Sequence, residues 1–248
     1  ATIGGVQWVV GNSTTGSADE KRAFINNSSG SSFIDIPPPD PADDYSEAVQ
    51  INNNGEVLIN ADDADGRHAY LWVGGSYQIL GRIIGQDSEG VAINNNGQAV
   101  INSGGTAVFE DMNDGAIEVL NFFPGESETT AMDLNESGHV VGVSGGEGFF
   151  WRGGSMYPLG HLGGGSSEAV DLNNNDVVAG NSTTSAGATH AVIWYLENGS
   201  GVMEDLGTLG GANSYVTGIN DAGQVVGYSE TGDTYEEGGQ VANVVHGF

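Results

Sequence analysis

A short motif recurs five times along the chain and constrains its fold more than any other feature. It has the form Ile/Leu-Asn-x-x-Gly, with Asp176 in place of the glycine in one copy. The copies are 42, 41, 38 and 47 residues apart and begin at Ile51, Ile93, Leu134, Leu172 and Ile219. Self-similarity at a period near 40 residues indicates a repeat architecture in which each repeat is one supersecondary unit.

Around each motif lie four short apolar segments in a constant order. The first ends in the motif, the second follows it, the third is aromatic and the fourth closes the repeat, as at 47–51, 56–59, 68–72 and 77–80. These segments are rich in Val, Ile and aromatic residues and are bounded by Gly, Asn, Asp or Ser, which is typical of strands and turns rather than helices. The Asn-Asn-Gly steps tolerate the positive φ of a tight hairpin.

Four antiparallel strands in about 40 residues correspond to one β-propeller blade. Stacked repeats also form elongated β-solenoids, but solenoid coils are shorter and more uniform than repeats of 38 to 47 residues. The sequence therefore predicts an all-β, β-propeller-like fold of about six four-stranded repeat units, in a single domain over residues 1–248.

Three stretches resemble the HAF repeat, a family of extracellular repeat proteins of microbes. They are His-Ala-Tyr-Leu-Trp at 68–72, Asp-Leu-Gly-Thr-Leu-Gly-Gly at 205–211 and the segment 218–229. The repeats between 90 and 150 depart from the family, because Ala107-Val108-Phe109 lacks the histidine and Val119-Leu120-Asn121 replaces Asp-Leu-Gly. The resemblance implies export and a β-repeat fold, and it implies no catalytic residues.

The chain ends do not coincide with the repeat boundaries. Counted from third to second segment, complete units lie at about 22–60, 68–102, 107–143, 148–181 and 190–228. One second-type strand at 6–12 and one third-type strand at 241–248 remain as orphan strands. Since these two types are neighbours inside every repeat, we predict that the terminal strands either share the last blade within one molecule or pair between molecules. The residues of such inter-subunit strands are Val6, Trp8, Val10, Val244, His246 and Phe248.

The charge of the chain excludes several classes of partner. Its 33 acidic and 5 basic side chains give a net charge of −28, which argues against binding to nucleic acid or an anionic membrane surface. No apolar run is long enough for membrane insertion as a helix, and there is no cysteine. The start at Ala1 and the acidity predict an extracellular or cell-surface protein whose signal peptide has been removed; a trimmed chain would look the same.

Two copies of the motif have the alternating oxygen side chains of a calcium loop. They are the segments 133–138 and 171–176, but Ser144 and Ser182 stand where such a loop needs its twelfth-position glutamate. This mismatch favours Asn/Asp hairpin turns over calcium. We therefore predict no metal site and no cofactor.

The sequence contains no recognisable catalytic constellation. His68, His190 and His246 occupy one repeat position, which favours a structural role. There is no Gly-x-Ser-x-Gly elbow, and no two of the 33 acidic residues stand out as a catalytic pair. The four tryptophans also recur at repeat spacing, which favours packing between blades over a carbohydrate surface. The protein is predicted not to be an enzyme.

Asn-x-Ser/Thr triplets lie in several predicted turns, where glycosylation requires an exposed asparagine. The candidates are Asn12, Asn26, Asn27, Asn135, Asn181 and Asn198. Taken together, the sequence predicts a secreted, non-enzymatic structural subunit that assembles with itself, as a filament formed by terminal strand exchange. The alternatives are a lectin-like propeller module that binds glycans or another ligand and, further from the pattern, a polysaccharide-active enzyme.

Overall fold

A computed structural model describes residues 1–14, 21–27, 33–81, 86–197, 200–237 and 240–248. Within these ranges every regular element is a β-strand, as predicted. By its internal contacts the chain divides into two compact units, Ala1–Leu120 and Asn121–Phe248. The assignment of all 248 residues to one domain stays a prediction.

The first unit contains three antiparallel sheets whose strands are paired in sequence order. The first sheet consists of β1 (Thr2–Ile3), β2 (Val6–Thr14), β3 (Lys21–Asn27) and β4 (Ile34–Ile36). The second consists of β5 (Ser46–Ile51), β6 (Val57–Asp63), β7 (Gly66–Val73) and β8 (Ser76–Ile79). The third consists of β9 (Ser88–Ile93), β10 (Gln98–Ser103), β11 (Thr106–Asp111) and β12 (Ala116–Val119).

The second unit also contains three antiparallel sheets, two of four strands and a last one of three. The fourth sheet consists of β13 (Thr129–Leu134), β14 (Val140–Ser144), β15 (Glu147–Arg152) and β16 (Ser155–Pro158). The fifth consists of β17 (Gly163–Leu172), β18 (Val177–Thr184), β19 (Thr189–Glu197) and β20 (Ser200–Asp205). The sixth consists of β21 (Ser214–Ile219), β22 (Val225–Glu237) and β23 (Gln240–Gly247).

The recurring motif forms the turn between the first and second strands of the second to sixth sheets. Its last residue has a positive φ in each sheet, which glycine adopts without steric cost. In the fifth sheet this residue is Asp176, with φ of 59°, the one non-glycine residue of the described ranges in that region. Aspartate is among the few residues that tolerate the left-handed conformation, so the Gly-to-Asp exchange preserves the turn.

The core lies between successive sheets of each unit. Val57 of β6 packs toward the first sheet, where Trp8 and Val10 meet it, whereas the adjacent Leu58 packs toward Ala99 of the third sheet. This alternation follows from the two-residue period of a strand buried on both faces. The tryptophans belong to these cores, as predicted: Trp72, Trp151 and Trp194 are buried and Trp8 is partly buried.

The prediction that the terminal strands share the last blade is wrong. The strand that contains 6–12, β2, pairs with β1 and β3, and β23 pairs with β22, so neither is an orphan. The sequence analysis missed β1 because this strand is very short. It is joined to β2 by a turn at Gly4 and Gly5, both with positive φ, and Trp8 N–H donates to the Ala1 carbonyl at 2.8 Å. Each of the first five sheets thus groups first to fourth segments and the sixth groups first to third, so the units counted from third to second segment cut across the sheets.

Candidate functional sites between and beyond the sheets

The motif asparagines join neighbouring sheets. Oδ1 of Asn173 accepts the N–H groups of Asn175 and Val177 at 2.9 and 3.0 Å and so closes its own turn. Its Nδ2 donates to the Asn220 carbonyl of the sixth sheet at 3.1 Å. The same inter-sheet bond runs from Asn135 to Asn173 at 3.2 Å and from Asn52 to Asn94 at 2.9 Å. The motif therefore encodes a turn and a link to the next repeat in one side chain.

In the two segments that resemble calcium loops, the asparagine oxygens take part in these internal hydrogen bonds. Oδ1 of Asn135 accepts the N–H groups of Ser137 and His139, in the same way as its counterpart in the next sheet. In the described ranges, no group of three or more His, Asp or Glu side chains is placed to hold a metal ion. The oxygen atoms that suggested a cation loop thus satisfy backbone donors instead.

A pair of carboxyl groups lies between the fourth and fifth sheets, where the sequence analysis singled out none. Asp133 and Asp171 each precede a motif, and their side chains are hydrogen-bonded to each other. Oδ2 of Asp133 accepts the N–H of Leu172 at 3.0 Å, and Oδ2 of Asp171 accepts the N–H of Ile219 in the sixth sheet at 2.6 Å. Alignment of the repeats would have placed Asp133 and Asp171 at one position of the repeat. Gln50, at the same position of the second sheet, also accepts a backbone N–H of the next sheet.

Burial first, then the hydrogen bond to Asp171 and its charge, raise the pKa of Asp133 to about 8. A carboxyl group with that pKa is protonated at neutral pH and donates to its neighbour. Two adjacent carboxyl groups that share a proton are an acid–base pair in some enzymes. Here Oδ2 of each group accepts a backbone N–H of the next sheet, which is the arrangement of an inter-sheet link, and Oδ1 of Asp171 accepts the N–H of Leu172 in its own strand.

Four of the five histidines lie beside carboxylates or backbone donors. His190 Nδ1 is 2.9 Å from Asp205, and His68 Nε2 is 3.7 Å from Asp63, both at the predicted repeat position. His139 Nδ1 is 2.7 Å from Oδ1 of Asp176 in the next sheet. These contacts connect strands or sheets, and the structural role of the histidines at the repeat position stays a prediction.

The sequon asparagines differ in accessibility. The expectation of exposure is wrong for Asn135, which is buried because its amide donates to the next sheet. Oδ1 of Asn12 accepts the N–H of Ala48 at 2.7 Å, and Oδ1 of Asn181 accepts that of Val216 at 2.9 Å. Asn26 and Asn27 end β3 and are partly buried, and Asn198 lies outside the described residues. Glycosylation of any of them stays a prediction.

The residues predicted for inter-subunit strands are divided between core and surface. Trp8 and Val10 pack against the core between the first and second sheets, and Val6, on the same face of β2, is partly buried. Val244 is partly buried, whereas His246 and Phe248 are exposed. Val9, on the opposite face of β2, points away from this core and is 59% exposed.

The two terminal sheets each have exposed apolar side chains on one face. Val226 of β22 is 54% exposed, although its counterpart in the second sheet, Leu58, is fully buried. Tyr228 and Val245 lie on the same face and are also exposed. On the first sheet the exposed residue is Val9, whose counterpart in the second sheet, Val57, is fully buried.

The sheet arrangement was compared with solved structures. The crystal structure of TolB from Acinetobacter baumannii is similar, with a TM-score of 0.55, 12% sequence identity and coverage of 95% of this chain and 60% of that chain. The fold is a β-propeller. Its six sheets correspond to the six predicted blades, except that the last blade is not shared between the two terminal strands. The present chain thus spans less than two thirds of the TolB chain.

Further comparisons define how far this similarity extends. The crystal structure of the tricorn protease has a TM-score of 0.36 and 12% identity, and covers 99% of this chain and 29% of that chain. No family model and no curated protein matches the sequence. In the blades that the structure describes, no helix has the length and apolarity to span a membrane.

Proposed function

We propose that the protein is a secreted, non-enzymatic structural subunit of an extracellular or cell-surface assembly, in which copies join head to tail into a filament. The exposed apolar faces of the first and sixth blades carry this proposal. Isolated apolar residues are normal on a protein surface, but a group such as Val226, Tyr228 and Val245 on one sheet face marks an interaction site.

The two exposed faces correspond to the two sides of a junction between successive blades. Val226 lies on the face of the sixth blade that, in the second blade, packs against the following blade. Val9 lies on the face of the first blade that, in the second blade, packs against the preceding one. The sixth blade of one copy and the first blade of the next copy therefore offer each other the same kind of contact as successive blades. Such a heterologous contact propagates without limit when it does not close.

The edge of β23 supports strand exchange as part of this contact. The outer strands β4, β8, β12 and β16 have three or four residues each and β20 has six, whereas β23 has eight. Short edge strands protect a sheet from pairing with another chain, and a long edge invites it. In the described residues β23 pairs with β22 alone, so a strand of a neighbouring copy fits beside it.

The net charge of −28 sets the condition for assembly. Repulsion between copies opposes contact at low ionic strength, and salt screens it over a distance of about 10 Å at 0.1 M. Apolar contacts between faces are not weakened in the same way. We therefore expect assembly to increase with salt.

Substitution of one exposed valine by aspartate tests the proposal. Val226→Asp places a charge in the centre of the sixth-blade face and is expected to abolish assembly. Val202→Asp is the matched control, because Val202 is an exposed valine of β20 in the fifth blade and belongs to neither terminal sheet. Light scattering and electron microscopy over a salt series measure the length of the assemblies.

Two results would contradict the proposal. One is wild-type protein that stays monomeric at every salt concentration. The other is filament formation by the Val226→Asp variant that equals that of the Val202→Asp variant. Loss of assembly in the first variant alone supports it.

We also propose that the chain belongs with the HAF-repeat proteins and has no enzymatic activity. The first part is supported by the segments 205–211 and 218–229, which match the repeat in sequence and lie at the junction and the strands of the sixth blade. The second is supported by the backbone bonds that occupy Asp133 and Asp171. A screen against polysaccharides that finds turnover, lost in Asp171→Asn, would contradict the second part.

A further inference from the structure

A glutamate at one repeat position is paired in the second blade. Oε1 of Glu47 accepts a hydrogen bond from Lys21 Nζ at 2.9 Å, and Oε2 accepts one from the Tyr45 hydroxyl at 2.5 Å. The Tyr45 hydroxyl, and after it Lys21, holds the pKa of Glu47 below its usual range. The carboxylate thus has a cation and a phenol as partners.

The same position in the fifth blade is Glu168. A shared bond aligns the two blades: Ser46 Oγ accepts the N–H of Ala23, and Ser167 Oγ accepts that of Gly148, both at 3.0 Å. Counting from these bonds, Gly146 stands in place of Lys21 and Ser166 in place of Tyr45. The two side chains that surround the glutamate in the second blade are therefore absent from the fifth.

Their absence leaves a cleft of about 340 Å³ beside Glu168. The Glu168 carboxylate has one hydrogen-bond partner in the described residues, the Asn181 amide at 3.4 Å. The cleft is otherwise lined by hydroxyl and amide side chains, among them those of Ser166, Thr183 and Thr189, together with Val143 and the Tyr215 ring, and none of its lining residues is basic. A ligand of one ring or a short chain fits this volume.

We propose that this cleft binds a primary ammonium group, which takes the place that Lys21 occupies in the second blade. A charge-assisted bond to Glu168 holds the ammonium, and the hydroxyls of the cleft accept its remaining N–H donors. Anionic ligands are excluded because no cation faces them. The ammonium can come from an amino sugar, a small polyamine or a lysine side chain. Tyr215 of the cleft stacks on Tyr228 of the sixth-blade face, with ring centroids 5.1 Å apart, but the proposed bond to Glu168 does not depend on the role of that face.

Isothermal titration with three probes at 0.15 M salt tests the site. Glucosamine and 1,5-diaminopentane carry a primary ammonium, and glucose is the neutral counterpart of the former. We expect saturable binding of one or both ammonium probes and none of glucose. Binding of glucosamine alone identifies an amino sugar as the source, and binding of the diamine alone a flexible alkyl ammonium.

Two variants and a control locate the binding. Glu168→Gln removes the charge and is expected to weaken binding about tenfold or more, and Ser166→Tyr restores the phenol of the second blade and fills the cleft. Glu89→Gln is the control, because Glu89 is the exposed glutamate at the same position of the third blade. Binding unchanged in Glu168→Gln, equal loss in Glu89→Gln, or glucose bound as tightly as glucosamine would overturn the proposal.

Discussion

At the scale of single residues, the links between blades are polar side chains bonded to the backbone of the next blade. Asn173 is partner to both its own turn and Asn220. Buried groups of this kind stabilise modestly when paired, but cost more when one partner is removed and the other is left buried. The same logic applies to Asp133, whose proton is part of its bond.

Asn173→Ala is expected to lower the free energy of unfolding by about 2 kcal/mol, because it leaves buried backbone groups unpaired. Asn173→Asp is the variant with which Asn173→Ala is compared. It keeps the oxygen that closes the turn, but it replaces the amide that donates to Asn220 by a carboxylate oxygen that faces the same carbonyl, so it should cost more than the alanine variant at neutral pH. Urea denaturation of both variants measures the difference; a smaller cost for the aspartate variant would contradict the contact between this group and the Asn220 carbonyl.

Asp133 predicts a dependence of stability on pH. Its pKa is raised from 3.8 to about 8 in the folded protein, so the folded state holds a proton that the unfolded state has lost. The stabilisation from this group is complete below pH 3.8 and is lost as pH rises towards 8, with a slope of at most about 1.4 kcal/mol per pH unit.

Thermal unfolding of wild type and Asp133→Asn between pH 5 and 8 isolates this effect. The asparagine amide still donates to Asp171 but does not titrate, so the variant should gain stability relative to wild type as pH rises. Glu118→Gln, at an exposed glutamate of β12, should keep the wild-type slope. Parallel curves for wild type and Asp133→Asn would contradict the assignment of the proton.

At the scale of elements, strand order and hairpins could be predicted from the motif, and the unusual strands could not. The segment 68–72 is the centre of β7 (Gly66–Val73), because its aromatic residues are both the sequence signal and the buried surface. β1 has only two residues and carries no period. β22 extends to Glu237 because an irregularity between Glu230 and Thr234 lets pairing with β23 continue, and no local pattern encodes that.

The second strand of the fourth blade requires glycine at its centre, at Gly142. A Cβ on Gly142 would lie 2.0 Å from the Thr130 carbonyl oxygen and 2.9 Å from the Phe149 ring. We expect Gly142→Ala to lower stability by about 2 kcal/mol or more, as overpacking does. In the second blade the same position holds Ile59, where Ile59→Val should cost about 1 kcal/mol. Chemical denaturation of the two variants compares them, and a neutral Gly142→Ala would contradict the packing.

At the scale of the whole molecule, the sequence could predict the class of fold and the number of blades, but not the candidate sites. The carboxyl pair could have been found by aligning the residues before each motif. The cleft at Glu168 could not, because it arises from the side chains that Gly146 and Ser166 lack. The exposed residues could not be predicted either, because the repeat pattern is alike in the second blade, where Leu58 is buried, and in the sixth, where Val226 is exposed.

Cysteine cross-linking between the terminal faces tests the central proposal most directly. The chain has no cysteine, so a Val9→Cys, Val226→Cys double variant carries the only two thiols. Their counterparts at one internal junction, Leu58 and Ala99, belong to one core cluster. Oxidation at high salt should therefore give a ladder of dimers, trimers and longer species on a denaturing gel, whereas either single variant should stop at dimers. Monomers that carry an internal disulfide, or free thiols throughout, would contradict head-to-tail assembly.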